Sequence, residues 1–77
     1  NSCSARWTVE INAINRGNIR IGIYNLPGEE VAVLANKIYD AGSHSFEWNA
    51  GEAPSGIYLC KIEIDGRILT SQITLEK

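Results

Sequence analysis

The 77-residue chain predicts an all-β fold, a small antiparallel β-sandwich of about six strands. Three observations carry that expectation. Apolar residues recur with period two along most of the chain, as strands with one buried face require. Turn-forming residues punctuate the alternating runs at short intervals, and no stretch has the apolar spacing of an amphipathic helix. An open barrel would satisfy the same pattern. The length suits one domain with a modest core.

The leader, residues 1–6 (NSCSAR), is polar and expected to fray, which leaves 7–77 as the domain. Because Asn1 is not a methionine, the chain reads as a fragment or processed form, with any export signal lying upstream. Trp7, Val9, Ile11 and Ala13 alternate with polar neighbours and give a first strand, and Asn15-Arg16-Gly17-Asn18 is the turn that follows it. Residues 18–34 form the stretch around which the rest must pack. Ile19, Ile21 and Ile23 alternate on one side of Leu26-Pro27-Gly28-Glu29, and Val31 and Val33 resume on the other. That tetrapeptide reads as a type II turn, in which Pro27 presets the first central φ and Gly28 accepts a positive one. Leu34 falls out of phase, which points to a bulge. Residues 35–42 read as a connection with room for a short strand at 37–39.

Residues 43–48 alternate again, with His44, Phe46 and Trp48 on one face, and 49–56 (NAGEAPSG) are a loop by composition. The second hairpin is the sharpest local signal. Asp65-Gly66 is the favoured two-residue type I′ turn, and that loop length fixes the register. Ile64 must face Arg67, Ile62 Leu69, Cys60 Ser71, and Tyr58 Ile73. This face, with Leu75 beyond it, is expected in the core. The opposite face pairs Glu63 with Ile68, Lys61 with Thr70, Leu59 with Gln72 and Ile57 with Thr74, a mixture that suits a partly wet surface. The expected core anchors are Ile21, Ile23, Val31, Phe46, Trp48, Tyr58, Ile62 and Ile73.

The net charge of −2 leaves no basic footprint for nucleic acid, and no run is long enough to cross a membrane as a helix. Catalytic chemistry is not visible. His44 stands between Ser43 and Ser45, but neighbours on a strand point to opposite faces, so they make no nucleophile–base pair. A single histidine, two distant cysteines and scattered carboxylates lack metal-ligand spacing. Gly51 and Gly56 precede no helix, so they cradle no phosphate, and no cofactor is implied. Cys3 and Cys60 allow one disulfide, which sequence leaves open. Trp7, Phe46, Trp48 and Tyr58 lie on the apolar phase of their strands, where core outranks a sugar-stacking platform. Tyr24, out of phase with the isoleucines, is the best candidate for an exposed ring.

Taken in order, five motifs resemble a known family. The chain offers Ile23-Tyr24-Asn25, then Gly28-Glu29-Glu30-Val31 through Leu34, then Ala41-Gly42-Ser43-His44-Ser45-Phe46-Glu47-Trp48-Asn49. Ser55-Gly56-Ile57-Tyr58 with Lys61-Ile62 follows, and Leu75-Glu76-Lys77 closes the series. From Val9 to Lys77 this order is similar to the C-terminal sorting domain of the type IX secretion system, a relative of the Ig-like module of flagellar hook-capping proteins. Glu29 stands where that family usually has an arginine, and the loop after Trp48 is shorter than usual.

The resemblance implies an Ig-like sandwich of six to seven strands and a non-catalytic role. Such a domain directs a covalently linked upstream cargo through outer-membrane secretion machinery, passing the periplasm on the way to the cell surface or medium. It also implies that the extreme C-terminal residues Leu75, Glu76 and Lys77 are read by the translocon. A carbohydrate-binding module and a structural spacer of a secreted enzyme are the alternatives, carbohydrate being the less favoured partner.

Overall fold

The structure is a computed structural model, and it describes residues 6–51 and 53–76. Six strands follow one another: β1 (Arg6–Ala13), β2 (Gly17–Asn25), β3 (Glu30–Tyr39), β4 (Gly42–Asn49), β5 (Gly56–Ile64) and β6 (Arg67–Leu75). They form two antiparallel sheets, a four-stranded one in the order β3-β2-β5-β6 and a two-stranded one of β1 and β4. The molecule is 16 Å across its shortest axis, as two stacked sheets about 10 Å apart would be. The fold is the β-sandwich that the alternation implied.

β2 is the centre because its sequence suits burial on the inner side and close packing on the outer. Ile19, Ile21 and Ile23 are fully enclosed, and Gly22 between them is buried on the other face. The strand pairs with β5 on one side, placing Ile19 opposite Ile64, Ile21 opposite Ile62 and Ile23 opposite Cys60. The small sheet closes the core from above with Trp7 opposite Trp48, Val9 opposite Phe46 and Ile11 opposite His44. Trp48, Tyr58, Ile62, Ile73 and Leu75 are buried with the isoleucines, and Phe46 is partly buried against them.

The second hairpin has the register its turn dictates. Asp65 and Gly66 take φ of 51° and 73°, as a type I′ turn demands, and Ile64 faces Arg67. Cys60 faces Ser71 and Tyr58 faces Ile73, so the whole ladder follows.

Four expectations are corrected. Val31 is not a core residue: it is 44 % exposed. The β2–β3 register skips at two places, between Ile21 and Gly22 and between Ile23 and Tyr24, leaving Leu34 and Val31 without a paired partner. These bulges turn Val31 and Val33 outward and bring Ala35 into the core. The same bulges let β3 run on to Tyr39 as one continuous strand, where a connection at 35–42 was expected. The Pro-Gly turn is centred one residue earlier than expected. The Gly28 N–H donates to Asn25 O (3.0 Å), which brackets Leu26 and Pro27, while Gly28 keeps its positive φ of 98°. Lastly, Leu69 is 57 % exposed although it shares the inward face with Ile62. The two-stranded sheet is too narrow to cover the first half of β6.

The frayed leader expected at residues 1–6 lies outside the described residues apart from Arg6, which opens β1. Cys60 is a free buried thiol, raised in pKa by that burial, and its only sequence partner, Cys3, lies outside the described residues.

Candidate functional site at the cleft end of the sandwich

Antiparallel pairing gathers several of the sequence motifs at one end of the molecule. Asn25, at the end of β2, faces Tyr58 near the start of β5, and Gly56 faces Leu75 at the end of β6. Trp48 and Asn49 end β4 beside them. A cleft of about 700 Å³ opens here, walled by Trp48, Tyr58, Asn25, Asn49, Val31 and Pro54.

Its walls are held by short local bonds. The Tyr58 hydroxyl donates to Pro54 O at 2.6 Å, and the Ala53 N–H donates to Ala50 O at 3.1 Å. Asn49 Oδ1 accepts from the Gly51 N–H at 3.3 Å. Asn25 clasps the turn twice, accepting from the Glu29 N–H (2.8 Å) and donating through Nδ2 to Glu29 Oε1 (3.0 Å). Glu29, the departure from the usual arginine, thus has a local partner.

The end of β6 emerges at the same place. Leu75 is buried and Glu76 exposed immediately after it, while Lys77 lies outside the described residues. Of the three residues expected to be read by a partner, Leu75 therefore offers its side chain to the core, not to solvent. Pro27 and Gly28 sit at this cleft end, and Asp65 and Gly66 cap the opposite end.

A second cluster occupies the outer face of the large sheet. Arg20 donates to Glu30 Oε2 at 2.8 Å and to the Tyr24 hydroxyl at 3.2 Å, and that hydroxyl donates to Glu30 Oε2 at 2.9 Å. Lys61 places its ammonium 5.1 Å from the Tyr24 ring centroid. Gly22 makes this possible, since a Cβ there would lie 2.7 Å from Glu30 Oε2. The hydrogen bond from Arg20, then that from Tyr24, holds the Glu30 carboxyl below the usual carboxylate range. Tyr24 and Glu30 raise the Arg20 guanidinium in return. Tyr24, the ring expected to be free, is thus half-buried and engaged on one face. Sequence reasoning missed the cluster. Its only signal was Arg20, Gly22 and Tyr24 at alternate positions, with a glycine between two long polar side chains.

His44 of the small sheet packs against Tyr39 at the end of β3, ring centroids 5.2 Å apart, with Nε2 2.6 Å from Asp40 O. Phe46 meets Tyr39 edge to face at 5.4 Å. Among the described residues no group of three or more His, Cys, Asp or Glu side chains could hold a metal ion.

Compared with known families, residues 4–76 match the model described as a secretion system C-terminal sorting domain. Comparisons with curated proteins and with solved structures find no match.

Proposed function

We propose that this chain, which belongs to the family of secretion system C-terminal sorting domains, is the non-catalytic address of a larger exported protein. In this reading the outer-membrane type IX translocon receives the domain from the periplasm, and the upstream cargo is attached to the cell surface or released. The observation that carries the reading is the extent of the match, which takes in all six strands and runs to Glu76. An address of this kind needs a rigid body and an accessible end rather than activated side chains. Leu75, buried opposite Gly56, anchors the last strand, and the exposed Glu76 follows it directly. Recognition at this end would accordingly fall on Glu76 and Lys77.

A reporter fused ahead of residue 1, in a bacterium with this secretion system, tests the reading. Removing Glu76 and Lys77 should leave melting nearly unchanged, because both follow the last strand and Glu76 is exposed, while the reporter accumulates in the periplasm. Truncation from Ile73 onward should lose folding and delivery together, since Ile73 and Leu75 are both buried. Normal surface delivery by the two-residue truncation would refute recognition at this end. Normal delivery after deletion of the entire domain would refute the sorting role and leave a structural spacer.

A further inference from the structure

β6 is an edge strand of a kind that native proteins seldom leave bare. It runs nine residues without proline, glycine or a register shift, and its sole charge is Arg67 at the turn. A two-residue type I′ loop makes its flanking pair, Ile64 and Arg67, a hydrogen-bonded pair, and an antiparallel ladder alternates from there. Leu69, Ser71, Ile73 and Leu75 therefore direct their backbone groups to β5. Ile68, Thr70, Gln72 and Thr74 direct theirs away from the sheet, and no strand among the described residues pairs with them. The opposite edge of the same sheet is defended. β3 carries two bulges, which disturb that edge, together with Glu30 and Lys37. In the small sheet, β1 and β4 bear Arg6, Glu10 and Glu47 on their exposed face.

The side chains along β6 point the same way. On the outer face Ile68 is 61 % exposed and is followed by Thr70, Gln72 and Thr74, all neutral. On the inner face, exposed Leu69 borders a groove of about 330 Å³ where the small sheet falls short; Ile11, Ile14, Ile62 and Ile64 line it, together with Glu10, Asn12, Asp65 and Arg67. Backbone donors and acceptors at alternate residues are complemented by another extended backbone. The neutral outer flank of Thr70, Gln72 and Thr74 suits an extended segment of low charge, with an apolar side chain opposite Leu69 where the isoleucines line the groove.

We propose that β6 is a β-augmentation site, and that its occupant is an extended segment of the secretion machinery that adds to the large sheet as a fifth strand. This rests on the sorting function proposed above and assigns the holding contact to the side of β6, separate from the residues beyond its end. The added strand grips by main-chain hydrogen bonds and takes its register from the apolar side chain over Leu69.

Two variants test it in the reporter fusion. Gln72→Pro removes an outward N–H and puts the proline ring where the partner strand would lie. Gln72→Lys keeps every backbone bond of the domain and places an edge-guarding charge. Both should melt close to the parent and lower surface delivery about tenfold, the equivalent of a loss of about 1.4 kcal/mol in binding. A photo-crosslinking residue at position 72 should form its adduct with a translocon subunit, and one at position 36 on the β3 edge should not. Should Gln72→Pro unfold the domain, Gln72→Lys and the crosslink decide. Full delivery by a folded Gln72→Lys variant overturns the proposal, and if whole-domain deletion still blocks delivery the sorting function stands. Delivery that survives whole-domain deletion overturns both. A parent that sediments as a dimer and becomes monomeric on Gln72→Lys also overturns it, since the edge would then be occupied by a second copy of this chain.

Discussion

Trp48 of the small sheet and Tyr58 of the large one meet edge to face, with ring centroids 5.2 Å apart and planes at 66°. The contact ties the two sheets at the cleft end, and both rings are buried. Trp48→Ala should therefore cost about 3–5 kcal/mol, a large part of what a domain this small possesses. Tyr58→Phe keeps the ring contact and loses only the bond to Pro54 O, for about 0.5–1.5 kcal/mol. Urea denaturation of the two variants checks the order, and a Trp48→Ala midpoint equal to the parent's would mean that the indole does not anchor the core.

The turns give a test free of packing effects. A Cβ at Gly66 or Gly28 would meet nothing within 4 Å, so substitution there acts through the backbone alone. Gly66→Val forces a β-branched residue to a φ of 73°, a change worth about 1–2 kcal/mol or more. Gly28→Ala at φ 98° should cost about 1 kcal/mol. Thermal melts should rank Gly66→Val below Gly28→Ala, and both below the parent.

Glu30 makes part of the stability depend on pH. Its carboxyl is held below the ordinary glutamate value by Arg20 and then Tyr24. A group with a depressed folded pKa stabilises fully above its unfolded pKa of about 4.3, and that contribution disappears as pH falls through the lower folded value. Glu30→Gln should thus be less stable than the parent at neutral pH and converge with it in acid. Gly22→Ala, whose Cβ would press 2.7 Å from Glu30 Oε2, should flatten the same dependence without removing a charge. Denaturant midpoints taken from neutral pH down into the acid range compare the three, and parallel curves would show that the cluster contributes nothing.

Cys60 should be inert in the native state. Its thiol is fully enclosed opposite Ile23 and its pKa is raised by burial, so little thiolate forms and reagents cannot approach. Alkylation mapped by mass spectrometry should label Cys60 at the rate of unfolding, accelerating with denaturant. Prompt native labelling would contradict the enclosure.

Residues whose placement follows from local rules could be read from the sequence. Asp65-Gly66 determined a ladder of pairs from Ile64–Arg67 to Ile57–Thr74, because a two-residue turn leaves a single register. The alternation of Trp7, Val9 and Ile11 with charged or polar neighbours placed the small sheet's inward face. β3 resisted the same treatment, since each bulge shifts the period by one and the alternation of Val31 and Val33 then marks the outside. Leu69 was misjudged for a different reason. Alternation tells which face a side chain takes, whereas the width of the opposing layer depends on which strands assemble into it. The Arg20–Tyr24–Glu30 cluster joins residues ten apart through a hairpin whose register those bulges had hidden.

The arrangement of strands also sets a timetable. β2 closes locally on β3, and β5 on β6, but β1 waits for β4, and β2 must find β5 across more than thirty intervening residues. Distant pairings carry the entropy of large loops and place assembly on the order of milliseconds to seconds, slower than either hairpin alone. Pairing of β2 with β5 is the step that finishes enclosing the isoleucines of β2, so the burial of the core is tied to the most distant contact of the large sheet and not to either hairpin.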